Sequence, residues 1–182
     1  MLTTGAAATM PSRPYSALII GGLWPASDPQ DWSQSSSVLR QKGQELLSAA
    51  QGIRHSADNV VAEDQSGHTI TGFVDACHRN AHTVTSHADD YFTMAQSANE
   101  IARLLDGLRH DLDDIDRQAN EEIQRVLSSG GGGLTAAAQA AMLNTIVAQA
   151  RAVATEKHTV TATAISGHTT KIAGEAAAAG LT

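Results

Sequence analysis

The sequence predicts an all-α fold, an elongated antiparallel bundle of three long helices with a short apolar element ahead of the first. Three observations predict it. Apolar residues recur at spacings of three, four and seven over long stretches, which is helical and not strand periodicity. Aromatic residues make up only 3% of the chain, so a core must come from Ala, Leu, Ile and Val, a composition that favours closely packed helices. The plainest breakers stand at Gly21-Gly22, Gln65-Ser66-Gly67 and Gly130 to Gly133, between the periodic stretches.

Residues 1–16 begin with small and polar side chains in no periodic order and read as a flexible leader. The apolar run Ala17 to Trp24 is the short element; at about eight residues it is far below the roughly 20 needed to span a bilayer. Asp28-Pro29 starts the first long helix: the carboxylate accepts from free N–H groups, and proline at the first helical position forfeits no hydrogen bond. Within Pro29 to Asp64, Trp32, Leu39, Leu46, Ile53 and Val60 recur every seven residues. Ser36, Gly43, Ala50 and Ala57 follow four positions behind the first four, so large and small residues share one face.

A second rhythm runs from Thr69 to Leu127 through Ile70, Val74, Cys77, Ala81, Val84, Ala88, Tyr91 and Ala95 to Leu105. It slips phase near Gly107, where a bend is expected, and resumes through Leu112, Ile115 and Ile123. The first two helices and the turn between them form one hairpin domain over 17–127. Residues 128–133 are a glycine-rich linker, and 134–178 form a third helix capped by Thr135, with Met142, Ile146, Val153, Val160 and Ala164 along one side. Residues 179–182 read as a fraying tail.

A formal charge of -7 lacks the basic footprint needed to displace counterions from phosphate, so nucleic acid is not an expected partner. One cysteine, Cys77, permits no internal disulfide, and its seam position suits a small buried hydrophobe better than a nucleophile. Asp75, His78 and His82 share one side of a helix, but a structural metal site needs a fourth ligand and supporting partners, and no metal or cofactor is expected. The stretch Asp106 to Arg125, dense in carboxylates and arginines, reads as a solvated face braced by Asp113/Arg117 and Glu121/Arg125. Gly130 to Gly133 is followed by no Lys-Ser/Thr pair that would hold phosphate, and no Gly-x-Ser-x-Gly or His-Glu-x-x-His pattern occurs. No enzyme chemistry is expected of these residues.

Leu18-Ile19-Ile20-Gly21-Gly22-Leu23-Trp24-Pro25, a short acidic stretch at Asp28 to Asp31, and Gly67 with Phe73 six residues on together resemble a known family. It is the W-x-G-like N-terminal domains of actinobacterial polymorphic toxins exported by type VII secretion, among them mycobacterial outer-membrane channel proteins that carry a necrosis-inducing toxin. The resemblance covers Ala17 to Val126. Gln65 stands where the family has tryptophan, and Tyr91 is followed four residues later by Ala95, not by the acid of the Tyr-x-x-x-Asp/Glu export signal. The resemblance implies a non-enzymatic module that associates with a small helical W-x-G-type protein or with a copy of itself, and delivery to the cell envelope or beyond. A channel-forming or envelope-structural oligomer is the competing expectation. The core and seam are assigned to Trp32, Leu39, Leu46, Ile53, Val60, Phe73, Val84 and Tyr91, with Trp24 and Gly67 setting the approach to the hairpin and its turn.

Overall fold

The computed structural model describes residues 9–62, 67–128 and 135–181. It is all-α: α1 (Ser16–Ile19), α2 (Pro29–Ala62), α3 (His68–Ser128) and α4 (Ala136–Ala178), with no strand among the described residues. The turn residues Gln65 and Ser66 and the run Gly130 to Gly133 lie outside the described residues.

The helix starts follow the local chemistry. Gln30 N–H donates to Asp28 Oδ1 at 3.0 Å, and Ala138 N–H donates to Thr135 Oγ1 at 3.2 Å, so each side chain satisfies a donor the first helical turn leaves unpaired. Gly67 precedes α3 with φ +139°, which a β-carbon would disfavour, and its carbonyl accepts from Ile70 and Thr71 N–H. α3 passes through Gly107 without interruption. α4 does not fray: Leu181 N–H reaches Ala176 O at 2.9 Å, Gly180 N–H reaches Ala177 O at 3.1 Å, and Gly180 takes φ +72°, the hydrogen-bond pattern of a Schellman stop.

The chain divides into two compact units, and the divisions fall in the first turn of α2 and inside α3 and α4. Unit 2 comprises Trp32–Glu100 and His168–Thr182. In it α2 and α3 run antiparallel, because contacts advance along one helix as they retreat along the other: Ser36 with Ala95, Arg54 with Thr85, Asp58 with His78. The buried line on α2 is the small one. Ser36, Gly43, Ala50 and Ala57 are buried, while Trp32, Leu39, Leu46, Ile53 and Val60 flank them half-buried. α3 answers with Ala81, Ala88 and Ala95, all buried and also seven residues apart. Ser36 Oγ donates to the backbone carbonyl of Ala95 at 2.7 Å, and a β-carbon on Gly43 would lie 2.8 Å from the Phe92 ring. Small residues here let two backbones approach so closely that larger ones are pushed to the edges of the contact.

Unit 1 comprises Met1–Asp31 and Ile101–Gly167. Its core joins Ile19 and Ile20 of the N-terminal segment, both fully buried, to Leu108, Leu112, Ala119 and Ile123 of α3 and Ile146 and Ala154 of α4. Each buried isoleucine contributes about 1.5–3 kcal/mol. Gln139 of α4 bonds to Val126 O and Lys157 to Asp111, so α3 and α4 are antiparallel here too. The expected line on α4 is rotated. Ile146 is buried, but Met142 (44% exposed), Val153 (47%) and Val160 (65%) face outward, and the inward line continues instead through Ala150 and Ala154. Alanines face inward because the neighbouring elements already supply the bulk.

Residues 9–16 are not a flexible leader. Met10 and Tyr15 pack on the core, and Arg13 Nη1 bonds to Asp113 Oδ1 and Asp116 Oδ2, each at 2.8 Å. The short element closes at Gly21-Gly22, with Gly22 at φ +77°. Arg151 Nη1 of α4 donates to the free carbonyls of Leu18, Ile19 and Gly21 at 2.9–3.4 Å, satisfying acceptors that the end of a helix leaves without partners.

Candidate interaction surface

The positions assigned to core and seam fall into three environments. Trp24 belongs to unit 1, half-buried against the isoleucine core. Trp32, Leu39, Leu46, Ile53, Val60, Val84 and Tyr91 are half-buried in unit 2. Phe73 is 50% exposed and Gly67 is exposed; neither belongs to the buried seam. Phe73 sits in the second turn of α3, five whole turns before Tyr91 and so on the same side of the helix, at the end of the hairpin where α2 stops at Ala62.

The hairpin of unit 2 has two unlike flanks. Arg54 bonds to Thr85 at 3.1 Å, and Ser33, Ser37, Arg40, Gln44 and Asn99 line an open polar recess of about 590 Å³. Those contacts place the row Thr85, Phe92, Asn99 of α3 beside Arg40 and Arg54. By helical geometry the row one residue back, Val84, Tyr91 and Ala98, falls on the other flank, alongside Leu39, Leu46 and Ile53. One edge of the hairpin is thus polar but for Phe92, whose ring lies beside Gly43. The other carries a continuous line of half-buried aliphatic and aromatic side chains.

The acidic stretch of α3 is only partly a solvated face. Asp116 is fully buried and accepts from Arg13 Nη1 at 2.8 Å, Ser16 Oγ at 2.6 Å and Asn120 Nδ2 at 3.0 Å. Asn120 Oδ1 in turn accepts from Tyr15 N–H at 3.2 Å. This network fixes the N-terminal segment across α3, and the hydrogen bonds that Arg13 donates to Asp113 and Asp116 hold its guanidinium above its ordinary pKa. The expected Asp113/Arg117 pair is replaced: Arg117 bonds to Asp114 at 2.9 Å and Glu121 at 3.2 Å, while Asp113 turns to Arg13. The hydrogen bond from Arg117 holds the Asp114 carboxyl below the usual aspartate value. Arg109 is nearly buried and donates to Ser27 O at 3.0 Å, close to the start of α2.

Asp116, Asn120, Arg13 and Arg151 were not singled out by periodicity, because a buried polar residue one step beyond an apolar stripe looks the same in sequence as an exposed one. The available signal was Asp116 and Asn120 at i and i+4, one turn apart beside Leu112, Ala119 and Ile123.

His78 Nε2 lies 3.6 Å from Asp58 Oδ1 across the hairpin, and among the described residues no three ligating side chains converge where a metal ion could sit. Cys77 is half-buried and unpaired. No described helix is long and apolar enough to cross a membrane. No family model, curated protein or solved structure matches this chain.

Proposed function

We propose that the chain is a non-enzymatic helical module of a type VII secretion effector or toxin, which associates with a small helical partner or with a copy of itself for export. The observation that carries this reading is the apolar flank of the α2/α3 hairpin. Leu39, Leu46, Ile53, Val84 and Tyr91 form a line at helical spacing that the hairpin leaves incompletely covered. Such a line is what a further helix requires to pack, since knobs spaced by three and four residues fit the holes of a neighbour. Delivery to the cell envelope or beyond belongs to the same proposal and rests on the resemblance of the Leu18-to-Pro25 segment and the Gly67/Phe73 spacing.

Light scattering on the purified chain, alone and co-expressed with short helical proteins encoded beside it, tests the reading. A monomer or dimer that becomes a defined heterodimer supports it. A large ring of the chain alone overturns it in favour of a channel or envelope-structural role, and a chain that binds no helical protein and remains a monomer overturns it outright.

A further inference from the structure

We propose a second docking surface, distinct from the hairpin flank: the open groove between α3 and α4 in unit 1 receives an amphipathic helix with a narrow apolar stripe and basic flanks, supplied by a different polypeptide. The groove encloses about 200 Å³ and is floored by Ile115, Ala119, Ile146 and Val153. Val153 is 47% exposed, and Met142 (44%) and Val160 (65%), three turns before it and two turns after, continue the apolar line along the same side of α4. Isolated exposed aliphatics are ordinary. Three on one helix side, bordering a groove whose floor is itself apolar, form a track of the width a helix covers.

The occupant's chemistry follows from the rim. Gln118 and Glu122 of α3 and Gln149 of α4 line the edges, and Glu156 follows Gln149 on the same side of α4. Neither Glu122 nor Glu156 has an ion-pair partner among the described residues, whereas the neighbouring cation, Lys157, is held by Asp111 at 3.0 Å. The rim therefore carries uncompensated negative charge on both banks, which attracts Lys or Arg flanks and repels acidic ones. The same helix pair already holds a short apolar segment: Ile19 of α1 and Ile20 just after it are buried against α3 and α4, and α1 is fixed by Asp116. Ile115, Gln118 and Glu122 point to the opposite side of α3 from Asp116 and Asn120, so the groove is the vacant counterpart of that arrangement.

A second copy does not meet these requirements. The chain carries a formal charge of -7, and α3 has an excess of carboxylates over arginines. In α4, Arg151 is committed to α1 and Lys157 to Asp111, which leaves Lys171 outnumbered by Glu156 and Glu175, and in α2 Arg40, Lys42 and Arg54 are matched by Asp31, Glu45 and Asp58.

The test uses the full chain and two synthetic helical peptides of about 21 residues, six turns. Both have Leu and Ala at the seam positions; one has Lys on the flanks and its twin has Glu. Fluorescence anisotropy should show binding of the Lys peptide alone, weakening with added salt. Val153→Asp should weaken it at least about tenfold, with an unchanged circular dichroism spectrum because Val153 is half-exposed. Glu122→Lys with Glu156→Lys should reverse the preference, admitting the Glu twin. The proposal is overturned by equal binding of the twins, by indifference to Val153→Asp, or by loss of binding in Val38→Asp, which alters unit 2 instead. Val153-dependent dimerisation of the chain alone would overturn the assignment to a different polypeptide.

Discussion

Replacing Asp116 with alanine should detach the N-terminal segment from unit 1. The carboxylate is fully buried and accepts three hydrogen bonds, from Arg13, Ser16 and Asn120. Hydrogen bonds to a charged group contribute about 1.5–3 kcal/mol each, and a buried donor left unpaired costs about 1–3 kcal/mol. The losses are not additive. Arg13 keeps Asp113 and is 31% exposed, so water can reach it, and Asn120 Nδ2 keeps its bond to the backbone carbonyl of residue 116 at 2.8 Å. Ser16 Oγ, in a residue 1% exposed, loses its acceptor with no water in reach. The expected net cost is about 3–4 kcal/mol for Asp116→Ala and about 1–2 kcal/mol for Asp116→Asn, which keeps an acceptor for Ser16 but loses the charge. Urea denaturation in a Trp32→Phe background measures this, because Trp24 then reports on unit 1 alone. A cost below about 1 kcal/mol for the alanine variant would refute the argument that this network, and not the two isoleucines alone, holds the segment.

Three further outcomes are expected. Gly43→Ala should destabilise by about 1–3 kcal/mol despite alanine's better helix propensity, since its β-carbon meets the Phe92 ring at 2.8 Å; Gly52→Ala and Gly107→Ala, with open space around them, should each stabilise by about 0.5–1 kcal/mol in the same denaturation assay. Arg151→Met should lower the melting temperature and raise hydrogen exchange at α1, because three carbonyls lose their donor while the aliphatic bulk is kept. The hydrogen bond from Arg117 lowers the folded pKa of Asp114, so its stabilisation is complete above the ordinary value of 3.8 and is lost as pH falls through the lower folded value. The melting-temperature gap between wild type and Arg117→Leu should thus narrow on acidification below about pH 4 and, both groups being at the surface, in high salt; a gap that widens contradicts the assignment.

The sequence by itself determined the helices. Asp28, Pro29 and Thr135 mark their starts through hydrogen bonds within one turn, and periods of three, four and seven fix the inward side of α3, where Ala81, Ala88, Ala95, Leu112 and Ile123 are buried as expected. Only the tertiary structure decided which of two adjacent rows lies at the centre of a contact. On α2 the small row Ser36-Gly43-Ala50-Ala57 took that place from Leu39, Leu46 and Ile53, and on α4 alanines took it from Val153 and Val160. The physical reason is that periodicity records an apolar side of a helix, whereas the distance between two backbones depends on the side chains of both. The same limit hid Asp116. A carboxylate is buried only when partners distant in sequence reach it, and Arg13, more than a hundred residues away, leaves no mark on the local pattern.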